Sequence, residues 1–294
     1  MMKKFFLLTL LSLLLTTTTS CLDNGSQPEM KTTLAYAGYN HVSNTASGEN
    51  YLKAASYLMT IDFTNLTLDL QINSAHTPEG EPVTMKFDGI KLKFEAKVGY
   101  TFNIEMANPS SVSVGNPKDY VIKNMKGNIM SYFLQDQQGT TKEIIVIETG
   151  YELNGQYTVF TCSKNPFFPN CETITRGDAE PYVTTAATYE IKMNDTKTAD
   201  IKINNVKFNK QMPQTTMVLK NVPIKLLPYG YKLEATEITP YVNDVPFESF
   251  KVSNFSMTVN NGTKMSLIFN CSIKNVLYEA TATGSLYPKM EEKQ

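Results

Sequence analysis

Several residue types on which common functions depend are scarce in this sequence. Its 294 residues include no tryptophan, two histidines and one arginine, with 27 basic and 28 acidic side chains. Arginine supplies most bidentate contacts to phosphate and guanine, so we expect no nucleic-acid partner. Metal sites usually pair histidine with cysteine, and His41 and His76 lie far from Cys162, Cys171 and Cys271 in sequence. We therefore expect no metal and no cofactor.

The local motifs of common enzyme classes are also missing. The chain contains no Gly-x-Ser-x-Gly, no His-Glu-x-x-His and no phosphate-binding loop, and no dinucleotide fingerprint follows a strand. Paired carboxylates leave no local motif, so a carboxylate-based hydrolase stays open as an alternative. The expectation is a protein without catalytic residues.

What the sequence does contain begins with an export signal over residues 1–20. Two lysines precede the apolar run Phe5–Leu15, which is too short to cross a bilayer core of about 30 Å as a helix. The segment Thr18–Cys21 resembles a bacterial lipobox, which implies lipid attachment at Cys21; simple secretion is the alternative. Residues 21–31 are polar and predict a flexible tether.

One stretch occurs twice in the chain. VTMKFDGIKLKFEAKVGYTFNIE at Val83–Glu105 corresponds to TTMVLKNVPIKLLPYGYKLEATE at Thr215–Glu237, with Gly99-Tyr100 matching Gly230-Tyr231. Further matches pair 61–68 with 201–208, 120–125 with 250–255, and 141–157 with 263–278. A unit of this length that occurs twice predicts two homologous domains.

Alternation of apolar and polar residues predicts an all-β fold. Met265–Ile273 shows the period of a half-buried strand, and no stretch after Cys21 shows a helical period. Short strands between Gly- and Asn-rich turns predict two tandem homologous antiparallel β-sandwich or flattened-barrel domains. We place the first domain at 32–172, a linker at 173–186, the second domain at 187–288 and a disordered tail at 289–294.

An asparagine before an apolar residue recurs inside the predicted strands. The cases are Asn65-Leu66, Asn124-Met125, Asn205-Val206, Asn221-Val222 and Asn254-Phe255, with Asp88-Gly89-Ile90 as a sixth. Asparagine tolerates left-handed backbone, so we expect β-bulges at these positions. The alternative is a ring of amides that binds a ligand.

The cysteines predict one disulfide and one thiol. Cys162 and Cys171 flank an eight-residue loop and are expected to form a disulfide in an oxidising compartment. Cys271 lies on the apolar side of its strand and is expected to be a buried free thiol. Within the loop, Phe167 and Phe168 either contact a ligand or partner or pack against the second domain.

Two further features leave a function open. Tyr100 and Tyr231 could line a ligand pocket or simply pack within sheets. Arg176-Gly177-Asp178 spells the tripeptide that integrins recognise, and it is equally ordinary turn chemistry.

The lipobox-like Thr18–Cys21, the lysine-rich and arginine-poor composition and the duplicated strand pattern resemble β-rich two-domain lipoproteins of Bacteroidota. A calycin-like barrel is a variant of this resemblance, although the lipocalin Gly-x-Trp signature is missing; fimbrillin adhesins are another. The resemblance implies an outer-membrane lipoprotein on the cell surface or the periplasmic face. Its function would be capture of a small apolar or glycan ligand, with a structural or adhesive role, or an envelope-protein partner, as the alternative.

Overall fold

A computed structural model describes residues 30–75, 82–96, 98–107, 109, 111–112, 120–135, 141–177, 180–260, 262–273 and 276–287. Cys21, the predicted export signal, the tether up to residue 29, Asp178 and the predicted tail lie outside these residues. Every regular element in the described ranges is a β-strand, which confirms the all-β prediction. None of the described residues belongs to a helix long and apolar enough to cross a membrane.

The first eleven strands cover residues 31–168. They are β1 Lys31–Asn44, β2 Asn50–Asp62, β3 Thr67–Ala75, β4 Val83–Lys91, β5 Lys93–Glu95, β6 Gly99–Ala107, β7 Ser111–Val112, β8 Ile122–Gln135, β9 Thr141–Leu153, β10 Tyr157–Ser163 and β11 Phe167–Phe168. The remaining strands are β12 Asn170–Arg176, β13 Tyr182–Thr184, β14 Thr188–Met193, β15 Thr198–Val206, β16 Thr215–Leu227, β17 Gly230–Ile238, β18 Tyr241–Val242, β19 Val245–Pro246, β20 Val252–Asn260, β21 Lys264–Ile273 and β22 Val276–Ser285.

The described chain divides into two compact units. The first contains the residues up to 37 and residues 54–155, and the second contains residues 38–53 and those from 156 onward. Strands β1 and β2 therefore begin in one unit and end in the other. This division differs from the predicted domains at 32–172 and 187–288.

The two copies of the duplicated module share one strand order. In the first copy, β2, β3 and β4 are consecutive neighbours in the sheet, and so are β5, β6, β8 and β9. In the second copy, the strand order is β14, β15, β16, β17, β20, β21, β22 and β12. Strand β16 pairs with β15 along its first part and with β17 from Ile224 onward. Strands β4 and β5, separated only by Leu92, do the same with β3 and β6. We call β1–β10 the first repeat and β12–β22 the second repeat.

The predicted linker at 173–186 lies inside the second repeat. Residues 170–176 form β12, which pairs along its whole length with β22, and β13 pairs with β12. The polar side chains that made this stretch resemble a linker include Thr173 and Thr175, which are buried in the sheet. The boundary between the repeats is therefore the segment between β10 and β12.

The prediction of bulges is confirmed at most of the proposed positions. Asn124, Asn205, Asn221, Asn254 and Gly89 all have positive φ between 51° and 66°. Each lies where the register of its strand pair shifts. Left-handed backbone at the extra residue is the geometry of the G1 type of bulge.

The prediction is wrong at Asn65, which lies in the turn between β2 and β3. There the positive φ of 49° belongs to Leu66. The turn also divides the stretch from Tyr57 to Leu70, in which apolar and polar residues alternate as they would in a strand. The phase of the alternation changes at the turn, because the apolar residues are odd-numbered up to Phe63 and even-numbered from Leu66 onward.

One bulge shows the duplication at atomic detail. In the first repeat the backbone N–H of Gly89 donates to Asp69 Oδ1 at 2.8 Å, and in the second the N–H of Asn221 donates to Asp200 Oδ1 at 2.8 Å. This contact aligns Leu68 with Ala199. It corrects the sequence match of 61–68 with 201–208, because period-two alternation permits several registers.

The sheet of the second repeat curls until its first and last strands meet. Thr173 Oγ1 on β12 and the Tyr189 hydroxyl on β14 form a buried hydrogen bond of 2.7 Å. The largest fully buried side chains here are aromatic: Phe168, Tyr189, Phe208, Tyr231, Phe255 and Phe269. An eight-stranded arrangement of this kind has an interior that side chains can fill.

The predicted disulfide is wrong, because Cys162 and Cys171 are both free thiols. Cys162 lies on β10, which pairs with β1, whereas Cys171 lies on β12, which pairs with β22. The residues between them connect two different strand pairings and do not close a loop tip. Burial raises the pKa of the Cys162 thiol to about 12. Cys271 is a buried free thiol, as predicted.

The segment between Cys162 and Cys171 covers the edge of β14. The N–H groups of Ile191 and Met193 donate to the carbonyl oxygens of Pro166 and Lys164, each at 3.0 Å, and Phe168 pairs with Tyr189. We call residues 164–168 the edge strap. Covering an edge strand in this way protects it from pairing with other chains.

Candidate functional site: an exposed aromatic cluster

Three aromatic side chains form a cluster at one corner of the first unit. The Tyr100 ring lies 5.4 Å from Phe63 and 5.4 Å from Phe94, measured between ring centroids. The interplanar angles of 55° and 60° are typical of favourable aromatic packing. Phe94 is 49% exposed, while Phe63 and Tyr100 are half-buried. We call Phe63, Phe94 and Tyr100 the aromatic cluster.

The turn between β2 and β3 places Phe63 in the cluster. Asp62 Oδ1 accepts hydrogen bonds from the backbone N–H groups of Thr64 and Asn65, both at 2.9 Å, and Asp62 Oδ2 accepts from Asn65 Nδ2 at 2.9 Å. These bonds, with that of the Asn65 side chain as the largest contribution, lower the pKa of the Asp62 carboxyl. A carboxylate that caps its own turn fixes the backbone, and so fixes where the Phe63 ring points.

The hairpin of β5 and β6 supplies the other two rings. Phe94 and Tyr100 are direct cross-strand partners, so their side chains lie on the same face. The turn that joins them ends at Gly99, whose φ is 82°; a Cβ there would overlap with the carbonyl oxygen of Ile129. Glycine is therefore required next to Tyr100. Burial against its neighbours raises the pKa of the Tyr100 hydroxyl.

Apolar and basic side chains flank the cluster. Leu66, 40% exposed, lies in the same turn as Phe63, and its carbonyl accepts from the Leu92 N–H at 2.8 Å. Met30 is 41% exposed, and its carbonyl accepts from the Phe63 N–H at 2.8 Å. Lys93 has an exposed side chain whose ammonium lies 3.1 Å from Glu95 Oε1. The corner thus has exposed carbon on the Phe94 face of β5, and the Lys93–Glu95 ion pair lies on the opposite face of that strand.

Of the predicted contact residues, only Tyr100 lies in this exposed group. Tyr231 is 1% exposed and Phe168 is completely buried, so neither ring is accessible to a ligand. Phe167 is half-buried on the edge strap, opposite Glu190. Phe168 therefore packs in the core of the second unit, and Phe167 lies at the edge of its sheet.

The matching corner of the second repeat has a different surface. Leu226 pairs with Tyr231 there, as Phe94 pairs with Tyr100. The adjoining turn lies against β1 and β10, within the same unit: Ser43 Oγ donates to the Pro228 carbonyl at 3.0 Å, and the Phe160 ring lies 6.3 Å from that of Tyr229. Tyr231 is buried at this corner and Leu226 is half-buried, whereas Tyr229 in the turn is 65% exposed.

A buried histidine lies beside that turn. His41 on β1 is completely buried, and none of the described residues offers a group that meets hydrogen-bond geometry at either ring nitrogen. The Leu227 carbonyl faces the imidazole and slightly offsets the effect of burial, which lowers the pKa of His41 below its ordinary value. The imidazole is therefore neutral at neutral pH and acts as part of the packing.

The tripeptide Arg176-Gly177-Asp178 is only partly described, because Asp178 lies outside the described residues. The Arg176 side chain lies on β12, where Nη1 donates to Thr281 Oγ1 at 3.2 Å and lies 3.8 Å from Glu279 Oε1. The guanidinium thus has partners on the neighbouring strand.

The other two members of the cluster were not predicted from the sequence. Phe63 could have been singled out from the sequence, because exposing a phenylalanine ring within the polar run Asp62–Asn65 costs free energy unless the ring packs or binds a partner. Phe94 gives none, because it alternates with lysines as a core residue would. Among the described residues, no group of three or more His, Cys, Asp or Glu could hold a metal ion.

No protein-family model matches the sequence, and no match was found among characterised proteins. Among solved structures, a candidate outer membrane protein of Bacteroides fragilis matches with a TM-score of 0.36 and 14% identity, over 86% of this chain and 97% of that chain. Transferrin-binding protein B of Haemophilus parasuis matches with a TM-score of 0.24 and 9% identity, over 88% and 77%. A Nostoc punctiforme protein of unknown function matches with a TM-score of 0.23 and 8% identity, over 85% and 95%. These values are too low to carry a conclusion about function.

Proposed function

We propose that this chain is a lipid-anchored protein of the cell envelope that binds an apolar ligand through the aromatic cluster and catalyses no reaction. The anchor would be Cys21, at the end of the lipobox-like segment Thr18–Cys21. The location would be the outer membrane. The cluster is the observation that carries the binding role.

The argument for binding is the cost of leaving these rings in water. Phe94 projects half of its surface into solvent beside Tyr100, and Leu66 and Met30 add exposed carbon nearby. Clustered apolar side chains on the surface of a soluble domain usually mark a binding site, whereas single ones do not. Aromatic rings also lose little conformational entropy on binding, which favours them as contact residues.

The absence of catalysis is proposed from the chemistry at the cluster. Its rings and flanking side chains, Phe63, Phe94, Leu66 and Met30, carry no nucleophile or proton donor. The Tyr100 hydroxyl has a raised pKa, so it is neutral at physiological pH and unsuited to act as a base. An apolar molecule or the apolar face of a sugar ring is the ligand chemistry that remains.

Ligand capture is tested with a soluble probe. Anilinonaphthalene sulfonate fluoresces when it binds an apolar surface. After Phe94→Ser, the dissociation constant of this probe should rise about tenfold, which corresponds to a loss of about 1.4 kcal/mol of binding free energy. Phe247→Ser is the matched control, because Phe247 on the second repeat is 39% exposed and stacks at 5.9 Å on a ring, that of Phe250, which is itself buried. Equal probe binding by the wild type and both variants would contradict the proposal.

Lipid attachment is tested separately. In a Gram-negative host, metabolic labelling with a palmitate analogue should mark the wild-type chain and leave Cys21→Ser unlabelled. The described cysteines at 162, 171 and 271 are all buried and are not expected to react. Label on both chains, or on neither, would refute the anchor.

A structural or adhesive role is the second candidate. The observation in its favour is the filled interior of the second repeat, where Tyr189, Tyr231 and Phe269 occupy the space that a barrel ligand would need. Binding of no soluble probe together with adhesion of cells that display the chain would favour this role.

A further inference from the structure

We propose that the aromatic cluster rests on the lipid surface to which the chain is tethered, so that the apolar ligand is the headgroup and acyl boundary of the bilayer itself. This inference rests on the proposed function and names the partner of the same site. It gives the first unit a defined orientation against the membrane.

The position of Met30 carries the first step. Met30 is the first described residue, and it is tied to the turn of the cluster at both ends: its carbonyl accepts from the Phe63 N–H at 2.8 Å, and its N–H donates to Thr64 Oγ1 at 3.3 Å. The segment from residue 21 therefore enters the fold at the cluster. Among the described residues, no other exposed aromatic group is linked so directly to the segment that begins at residue 21.

The length of that segment carries the second step. Cys21 and Met30 are nine residues apart in sequence. A fully extended chain spans at most about 3.3–3.6 Å per residue, so the cluster can be no farther than roughly 30 Å from the lipidated cysteine. The cluster is thus always close to the bilayer surface, and a modest affinity suffices for contact because the tether supplies a high effective concentration.

The chemistry of the corner carries the third step. Aromatic rings with apolar neighbours and lysines at the rim are the composition of surfaces that lie in a membrane interface. Lys31 follows Met30 with a 46% exposed side chain whose ammonium lies 3.7 Å from Asp62 Oδ2 in the turn of the cluster. Long lysine side chains can keep their charge among headgroups while the rings enter the acyl boundary.

The polar groups around the rings favour lipid over a sugar. Asp62, the carboxylate of the turn that carries Phe63, is already committed to that turn through three hydrogen bonds. Recognition of a glycan normally adds directional polar contacts to ring stacking. A lipid surface requires only exposed carbon and a favourable rim charge.

The absence of tryptophan from the sequence makes a direct test available. Phe94→Trp places a single fluorophore at the cluster, and Phe247→Trp places one on the second repeat as the matched control. Each mature chain is coupled through Cys21 to a maleimide lipid in vesicles of phosphatidylethanolamine and phosphatidylglycerol. The buried thiols at 162, 171 and 271 do not compete for the maleimide. Vesicles with and without brominated phosphatidylcholine are compared.

The Phe94→Trp emission should fall by about half in brominated vesicles and shift to shorter wavelength, because interfacial side chains lie roughly 5–10 Å into the headgroup and acyl boundary. The Phe247→Trp emission should not change. Equal quenching of both variants, or of neither, would overturn the inference. Phe63→Trp repeats the measurement if Phe94→Trp misfolds by circular dichroism.

The outcome also separates this inference from the proposed function. If Phe94→Ser loses binding of anilinonaphthalene sulfonate while Phe94→Trp stays unquenched, the cluster binds a soluble ligand and the membrane inference is overturned. If affinity electrophoresis shows that a polysaccharide retards the wild type and not Phe94→Ser, the occupant is a glycan and the membrane inference is likewise overturned. Failure of both the probe and the quenching measurements would remove the binding function as well.

Discussion

Tyr100 and Tyr231 occupy the same place in two copies of one hairpin, yet one is half-exposed and the other is buried. The hairpins themselves are alike: each tyrosine follows a glycine with positive φ, and each pairs with an apolar residue on the preceding strand. The surroundings differ. Ser43 on β1 and Phe160 on β10 contact the turn beside Tyr231, in which Tyr229 is 65% exposed, whereas in the first repeat it is the cross-strand partner Phe94 that is 49% exposed.

This difference shows that two copies of one hairpin can present different surfaces on the same scaffold. In the second repeat Tyr231 is part of the packing, and Leu226 takes the place of an aromatic ring. In the first repeat the same corner has a third ring, Phe63, from a turn whose counterpart carries Asn194 and Asp195. Asp195 Oδ1 caps that counterpart turn through the N–H groups of Lys197 and Thr198, so the turn is kept and the aromatic residue is not.

The largest effect is expected in the edge strap, an element special to the second unit. Phe168→Ala should lower the free energy of unfolding by about 3–5 kcal/mol, because it leaves a cavity under a fully buried ring. Phe167→Ala, at the half-buried neighbour, is the control and should cost much less. Urea denaturation followed by circular dichroism measures both, and equal losses would contradict the placement of Phe168 in the core.

The glycines of the matched hairpins should show a similar sensitivity in both repeats. Gly99→Ala and Gly230→Ala should each destabilise the protein by about 2–3 kcal/mol, since positive φ and the nearby carbonyls of Ile129 and Val259 exclude a Cβ. Gly155→Ala is the control, with positive φ but open space around the Cβ. A tolerated substitution at only one of the two matched sites would break the equivalence of the hairpins.

The capped bulge is a more local test of the same equivalence. Asp69→Ala and Asp200→Ala should each cost about 1–2 kcal/mol, because each removes the acceptor for one bulge N–H. Hydrogen exchange read by mass spectrometry should show faster exchange near Gly89 in the first variant and near Asn221 in the second. Faster exchange spread over both repeats in either variant would be inconsistent with two separate bulges.

The corner near Tyr231 should have a pH dependence that the corner near Tyr100 lacks. Burial lowers the pKa of His41, so between that value and the ordinary value near 6.5 the unfolded chain binds more protons than the folded one. Stability should therefore fall as pH drops below about 6.5, by at most about 1.4 kcal/mol per pH unit.

The measurement for His41 is the unfolding midpoint in urea between pH 7.5 and pH 5.5. His41→Gln should flatten the dependence, whereas His76→Gln serves as the control for the other histidine. The carboxyls of Asp62 and Asp195 have lowered pKa values, so their stabilising contributions are lost only at more acidic pH. An unchanged slope in His41→Gln would show that the imidazole is not held neutral by burial.

Much of the fold follows from the sequence, and the reasons are local. The strand β16, the hairpin at Gly230 and the bulges at Asn124 and Asn254 were predictable because alternation, turn glycines and left-handed asparagines each act within a few residues. The duplicated stretch then connected the two copies. Strand β1 is harder to recognise, because five successive residues, Gly38–Val42, are all buried and show no alternation.

The errors involve contacts that a local pattern does not contain. The pairing of β12 with β22 joins residues more than a hundred positions apart, so a polar strand looked like a linker. The disulfide between Cys162 and Cys171 was expected from spacing alone, although the two strands pair with different partners. Of the candidate site, Tyr100 was found and Phe63 and Phe94 were not, since exposure depends on which elements cover a corner.

The most direct test of the account is hydroxyl-radical footprinting of the unmodified chain, read residue by residue by mass spectrometry. If one module was copied and only the first copy left its tyrosine partly exposed, ring oxidation should be fast at Phe94, intermediate at Tyr100 and strongly protected at Tyr231. Equal oxidation of Tyr100 and Tyr231 would contradict the account, because the two tyrosines would then be equally buried.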